Sequence, residues 1–229
     1  MQIKDNLEQI QERIRKAAAD CGRNPDEITL IGVSKRKPAD LIQAAINAGH
    51  KNFGENYIQE AVEKIDSLGR DAACWHFIGH LQSNKAKFAV KYFDLIHTVD
   101  KFKLAKEINK QATKIGKIQE ILLQINIARE QTKSGADAGE VIGLAKEISQ
   151  LDHVALKGLM CMPPFFDEPE EAREYFKAVK AISREIRDAN LPNVDMAHLS
   201  MGMSNDFAVA IEEGATLVRV GTAIFGSRD

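Results

Sequence analysis

Ile28-Thr29-Leu30-Ile31-Gly32-Val33-Ser34-Lys35 is the most strand-like run near the N-terminus, and the residues just after it decide the fold. β-Branched side chains dominate the run, and Pro38 then blocks further strand pairing and suits the first position of a helix. An open dinucleotide-binding sheet would carry a Gly-rich turn directly after such a strand. That fingerprint is missing after Lys35. The lysine ends the strand at the edge of an apolar core, where burial disfavours an ammonium group. Only a neutral amine condenses with a carbonyl, which makes Lys35 a Schiff-base candidate. A strand-end lysine can equally extend its charged head into water. Both readings stand at this point.

Outward from this run the chain alternates between strand and helix patterns. An amphipathic helix with Ile3, Leu7, Ile10, Ile14 and Ala17/Ala18 on one face precedes it. Strands are predicted at 28–34, 52–56, 75–79, 95–99, 120–127, 155–162, 196–200 and 216–220. Helices lie between them, among them one from Pro38 to Gly49, one capped by Ser83, one from Pro169 to Asp188 and one from Ser204 to Glu213. Eight strands without hairpin turns imply parallel pairing through right-handed crossovers. Eight such units in 229 residues predict a single (β/α)8 TIM barrel with an extra N-terminal helix, one domain over 1–229. An open doubly wound sheet is the alternative.

Composition narrows the function. With 44% apolar and 28% charged residues the chain is globular, and a net charge of −2 gives no pull toward nucleic acid or anionic membrane. No apolar run approaches a membrane span, and the charged first 21 residues lack a signal-peptide core. Three widely spaced cysteines, Cys21, Cys74 and Cys161, suit neither a disulfide framework nor a zinc site, so a cytoplasmic location is expected.

In a barrel the loops after the strands share the chemically active face. The strand ends here offer Lys35, Asn56, His80, Asp100, Asn126, Ser200, Arg219, Gly221 and Thr222. They hold no carboxylate pair for glycoside hydrolysis and no His/Asp/Glu set for a metal. Phosphate often binds after strands seven and eight of a barrel. Strand seven leads into Ser200-Met201-Gly202-Met203-Ser204-Asn205-Asp206, and strand eight into Gly221-Thr222-Ala223-Ile224-Phe225-Gly226. Their hydroxyls and glycines fit a phosphate cradle, and they fit ordinary turn geometry too. An amine on strand one opposite such a cradle suits an aldehyde bearing a phosphate, of which pyridoxal 5′-phosphate is the standard case. Arg219 could face its ring nitrogen and, as a permanent donor, keep that nitrogen unprotonated, or could form a structural salt bridge.

Together these residues resemble the YggS/PROSC family, the pyridoxal-phosphate homeostasis proteins, whose barrel is that of the N-terminal domain of alanine racemase. The resemblance rests on Val33-Ser34-Lys35, Phe53-Gly54-Glu55-Asn56-Tyr57, the run Trp75 to Lys85, Lys133-Ser134-Gly135, Gly158-Leu159-Met160, the run His198 to Asp206, and the run Arg219 to Gly226. It implies an internal aldimine on Lys35, Asn56 beside the cofactor, Ser200, Gly221 and Thr222 on its phosphate, and Arg219 at its ring nitrogen. His80, with Gln82 and Asn84, lines the pocket mouth or orders its loop. His76 is expected as a packed core residue, Lys37 and Lys133 as surface charges or aids to passing the cofactor on, and Met160, Met201 and Met203 as apolar filling.

Two uses of the cofactor remain. Racemisation needs an acid/base on each face of a planar carbanion. Alanine racemase, which this chain resembles in its barrel, takes a second-face tyrosine from an additional domain across a dimer. Here Tyr57, Tyr92 and Tyr175 lie on or beside predicted helices, only Tyr57 near the active face, and the chain ends nine residues after strand eight. The second base is therefore expected to be missing. A monomeric protein that holds pyridoxal phosphate and delivers it to apoenzymes is favoured over an enzyme. A Schiff-base aldolase acting on a sugar phosphate is the remaining alternative.

Overall fold

The computed structural model describes residues 2–128, 130 and 134–226. Within them eight parallel strands close into a barrel in chain order: β1 (Thr29–Val33), β2 (Asn52–Glu55), β3 (Cys74–Phe77), β4 (Leu95–Val99), β5 (Gln119–Ile125), β6 (Val154–Cys161), β7 (Val194–Ser200) and β8 (Leu217–Val220). The barrel closes where β1 pairs with β8, with Thr29 opposite Leu217 and Ile31 opposite Arg219. Between the strands run α2 (Ala39–Asn47), α3 (Ile58–Leu68), α4 (Ala86–Tyr92), α5 (Phe102–Lys114), α6 (Val141–Ile148), α7 (Arg173–Asp188) and α8 (Phe207–Glu212). The predicted (β/α)8 architecture is present, as is the extra helix α1 (Gln2–Asp20).

The apolar stripe of α1, Leu7, Ile10, Ile14, Ala17 and Ala18, is buried. It fastens the two ends of the fold together. Asn6 Nδ2 donates to Ile224 O at 2.9 Å, the Arg13 guanidinium lies 4.7 Å from the Phe207 ring centre, and Arg23 donates to Ile211 O and Ala215 O at 2.7 and 2.8 Å.

Strand periodicity divides the core. Alternate residues face outward into the layer under the helices, where Phe53, Trp75, Phe77 and Phe93 pack. The others face inward, and Ile31, Leu95, Leu122, Met160 and Leu217 fill the barrel centre. At the inward parity β4 also carries His97, and β8 carries Arg219.

Several element ends differ from expectation for local reasons. Ser83 does not cap a helix: Ser83–Lys85 form a 3-10 turn without a side-chain cap, and α4 begins at Ala86. Pro38 sits just before α2 rather than inside it, and Pro169–Ala172 form a 3-10 turn ahead of α7. Ser204 to Asp206 stay in the β7 loop, because Asp206 Oδ1 accepts from Met203 N–H at 2.6 Å and α8 starts only at Phe207. A short helix, α9 (Thr222–Phe225), comes after β8 where the sequence suggested a loop. Among the described residues no helix is long and apolar enough to cross a membrane.

Candidate functional site

Lys35 lies directly after β1, half-buried, at the same parity as inward-facing Ile31. Its neighbours are held unusually firmly. Ser34 N–H donates to Gly54 O at 3.1 Å, and Ser34 Oγ donates to Glu55 Oε1 at 2.7 Å. Lys64 Nζ, buried on α3, donates to Ser34 O at 2.7 Å, to Glu55 Oε1 at 2.8 Å and to Glu60 Oε1. Arg36 then adopts φ 58°, a left-handed conformation that costs a side-chain-bearing residue about 1–2 kcal/mol. Its N–H donates to Glu60, and its guanidinium lies 5.6 Å from the Tyr57 ring centre. Lys37 N–H returns to Ser34 O at 3.1 Å. Burial pushes the Glu55 carboxyl above the usual carboxylate range, while the Lys64 ammonium and Ser34 hydroxyl work against that shift. Sequence reading missed Glu55 and Lys64. The signal was available, since Lys64 lies three residues after buried Ala61 and next to Ile65 on the inner side of α3.

Asn56 comes just after β2. Its side-chain Oδ1 is buried without a hydrogen-bond partner. The backbone beside it leaves no slack, because a Cβ on Gly79 would stand 2.0 Å from Asn56 O. Gly79 O in turn accepts from the Thr98 hydroxyl. His80 is exposed and 3.3 Å from Ser134 Oγ, and Gln82 and Asn84 are exposed as well. Lys133 lies outside the described residues.

On the opposite side of the mouth the β7 loop is tied to β8. Gly202 takes φ 91°, and its carbonyl accepts from Arg219 N–H at 3.0 Å. Ser204, Asn205 and Thr222, with Phe165, Phe166 and Met203, line a cavity of about 460 Å³. Gly221 packs against β1, a Cβ there meeting Val33 O at 3.3 Å, so the β8 loop and the segment leading to Lys35 are direct neighbours. The first amides of α9, beginning at Thr222, have no acceptor within their own helix. A second cavity of about 410 Å³ lies near α1 and contains none of the expected site residues.

Arg219 is buried inside the barrel. Its Nη1 donates to Ser200 Oγ at 2.6 Å and its Nη2 to Cys161 O at 2.9 Å. Among the described residues no carboxylate forms an ion pair with it, so the structural salt bridge considered from sequence is not found. Ser200, expected on a phosphate, is fully buried with its hydroxyl between Arg219 and His97, and it does not line the groove that Ser204 and Thr222 share. His76, expected in the core, is buried and 3.0 Å from His97. Among the described residues no group of three or more His, Cys, Asp or Glu could hold a metal ion.

Burial pushes the His76 imidazole down to about 4 and that of His97 well below its ordinary 6.5. A histidine kept neutral on folding contributes stability that is complete above 6.5 and is lost as pH falls toward the folded value. Between pH 7 and 5 each ring should cost about 2 kcal/mol of unfolding free energy. Urea unfolding at the two pH values measures this loss, and unchanged stability would show that the rings protonate freely in the folded protein.

A closed parallel barrel with an amine after its first strand and a buried arginine on its last defines a class. Over residues 5–229 the chain matches the family described as alanine racemase, N-terminal domain, and it belongs to that family. Among its relatives is the pyridoxal phosphate homeostasis protein of Escherichia coli (strain K12), to which it is 44% identical over 99% of this chain and 97% of that one. Among solved structures it is similar to PipY of Synechococcus elongatus PCC7942 with PLP bound, at TM-score 0.86 and 35% identity over 98% of this chain and 100% of that one. Alanine racemase of Clostridium difficile 630 shares the fold at TM-score 0.78 and 16% identity, over 99% of this chain and 57% of that one.

Proposed function

We propose that this chain binds pyridoxal 5′-phosphate in the barrel mouth, with Lys35 as the amine that joins its aldehyde, and serves cofactor homeostasis by holding the group and passing it to apoenzymes. The observation that carries this reading is Arg219, a buried guanidinium that among the described residues touches no carboxylate, on the strand that pairs with the one leading to Lys35. A buried cation without an anion in contact is costly, so a polar ligand above it offsets a deficit. The residues present fit the group. The orphaned Asn56 Oδ1 provides a polar contact on the β2 side, and Gly221 and Thr222 provide a loop for phosphate on the β8 side. Ser204 joins them from the β7 loop, and Ser200 acts through Arg219 rather than on the phosphate.

When bound, the group supplies an aldehyde and an electron-accepting ring. Arg219 can only donate, so a ring nitrogen facing it stays unprotonated and the ring remains a weak electron sink, suited to storage. The tyrosines support the same side. Tyr92 donates to Asp66, Tyr175 stacks on Phe166, and Tyr57 sits exposed against Arg36. In this reading the unit is the one barrel domain over 1–229, acting as a cytoplasmic monomer. The unpaired Cys21, Cys74 and Cys161 suit such a compartment.

Titrating the protein with pyridoxal 5′-phosphate should raise a saturable visible absorption band. Borohydride should bleach it and leave the added mass on the peptide containing Lys35. A colourless protein that retains no cofactor would overturn the reading and favour the sugar-phosphate aldolase. Sustained interconversion of a single-enantiomer amino acid by the loaded protein would replace the carrier with a racemase.

A further inference from the structure

Inside the barrel a row of hydrogen bonds runs away from Arg219. Ser200 Oγ, which accepts from Arg219 Nη1 at 2.6 Å, lies 2.9 Å from His97 Nδ1. His97 Nε2 is 3.0 Å from His76 Nδ1, and His76 Nε2 is 3.4 Å from Asn52 Oδ1. Ser200 and His97 have no exposed surface.

One direction along this row gives the Ser200 proton an acceptor. A guanidinium only donates, so Ser200 Oγ is its acceptor. The serine has one proton of its own, and the acceptor beside it is His97 Nδ1. In that direction His97 carries its hydrogen on Nε2 and donates to His76 Nδ1, and His76 carries its hydrogen on Nε2, toward Asn52 Oδ1 with Cys74 Sγ 3.5 Å away. Both rings are neutral, in accord with the downward shift that burial imposes on them. Three dipoles then line up with their negative ends toward the arginine.

We propose that His97, backed by His76, is a positioning residue that holds Ser200 as an acceptor for Arg219 and so fixes the guanidinium in place without a carboxylate in contact. A carboxylate at the same spot would hold the arginine equally well but would cancel its charge. A neutral row adds no counter-charge in contact with the guanidinium, and Asp206 acts on it only from outside hydrogen-bond reach. The inference rests on the reading of Arg219 as a cofactor-facing group, and it adds the side chains that make an arginine usable there.

The first test needs no cofactor. Nitrogen-15 spectra of the histidine rings in the full chain at pH 7 should show His97 and His76 both as neutral Nε2–H tautomers. An imidazolium or an Nδ1–H tautomer at His97 would overturn the proposal. The second test titrates variants with pyridoxal 5′-phosphate. His97→Leu removes the acceptor and should weaken binding by about tenfold or more, the loss expected for one hydrogen bond to a charged group, and should move the visible band. Ser200→Ala should do the same. His97→Asn, whose side-chain oxygen stands near the place of Nδ1, should recover most of the affinity. Parent-like affinity and band position in His97→Leu and Ser200→Ala would reduce the histidine to packing and defeat the inference, with the cofactor reading intact. If His97→Leu does not fold, Ser200→Ala and His97→Asn decide. A parent protein that binds no cofactor defeats both readings.

Discussion

Replacing Lys35 by methionine should abolish covalent capture of pyridoxal phosphate, lowering the borohydride-fixed fraction by about two orders of magnitude. The fold should survive, because Lys35 is half-buried at a strand end and loses no core volume to methionine. The nearest buried amine cannot take over. All three protons of Lys64 Nζ are engaged, on Ser34 O, Glu55 Oε1 and Glu60 Oε1, and its side chain is only 8% exposed. An ammonium held by two carboxylates and a carbonyl is the wrong species to attack an aldehyde. Residual label, mapped by mass spectrometry of reduced peptides, should fall on scattered exposed lysines. Full labelling that moves to one other lysine would mean that the anchor has been misassigned.

Lys64 itself has the second large effect. Lys64→Met should destabilise the protein by about 3–5 kcal/mol, the usual cost of removing one member of a buried ion pair. Glu55 would be left fully enclosed, with Oε2 already lacking a partner and Oε1 keeping only the Ser34 hydroxyl. The Ser34 carbonyl would keep only the Lys37 N–H, so the turn carrying Lys35 should loosen and cofactor capture should slow. Adding Glu55→Gln should restore part of the stability, since it removes the stranded charge, but not the rate of capture. Denaturant unfolding and stopped-flow absorbance separate the two effects. A loss below about 1 kcal/mol would place this cluster among ordinary surface ion pairs.

The barrel was legible in the sequence because each strand announces itself locally, as Ile28 to Val33 and Leu95 to Val99 do. Lys35 was legible for the same reason: a β-branched run and a proline bracket it. The contacts that the sequence did not show share a different property. His97 and Ser200 are 103 positions apart, and their contact exists only because the sheet closes. Parity along β4 and β8 would have placed His97 and Arg219 on the inner face, but not told which partner each finds there. The partners of the Ser200 hydroxyl were not legible either. This residue opens a loop rich in phosphate-binding residue types, yet as the last residue of β7 it points inward to Arg219. Glu55 and Lys64 look like solvent charges because charge usually means water, and only their mutual pairing makes burial tolerable.

The seam between β1 and β8 has a consequence for how the protein is made. The amine arrives with the first strand off the ribosome, the arginine and its loop with the eighth. In the proposed reading a growing chain therefore has nowhere to keep the cofactor until synthesis of the barrel is nearly complete. In that reading a ligand held between Lys35 and Arg219 would then bridge the seam, which α1 also clasps through Asn6 and Arg23. Loading would double as a seal on the finished molecule, so the cofactor should protect the β1 and β8 amides from hydrogen exchange more than those of the other strands.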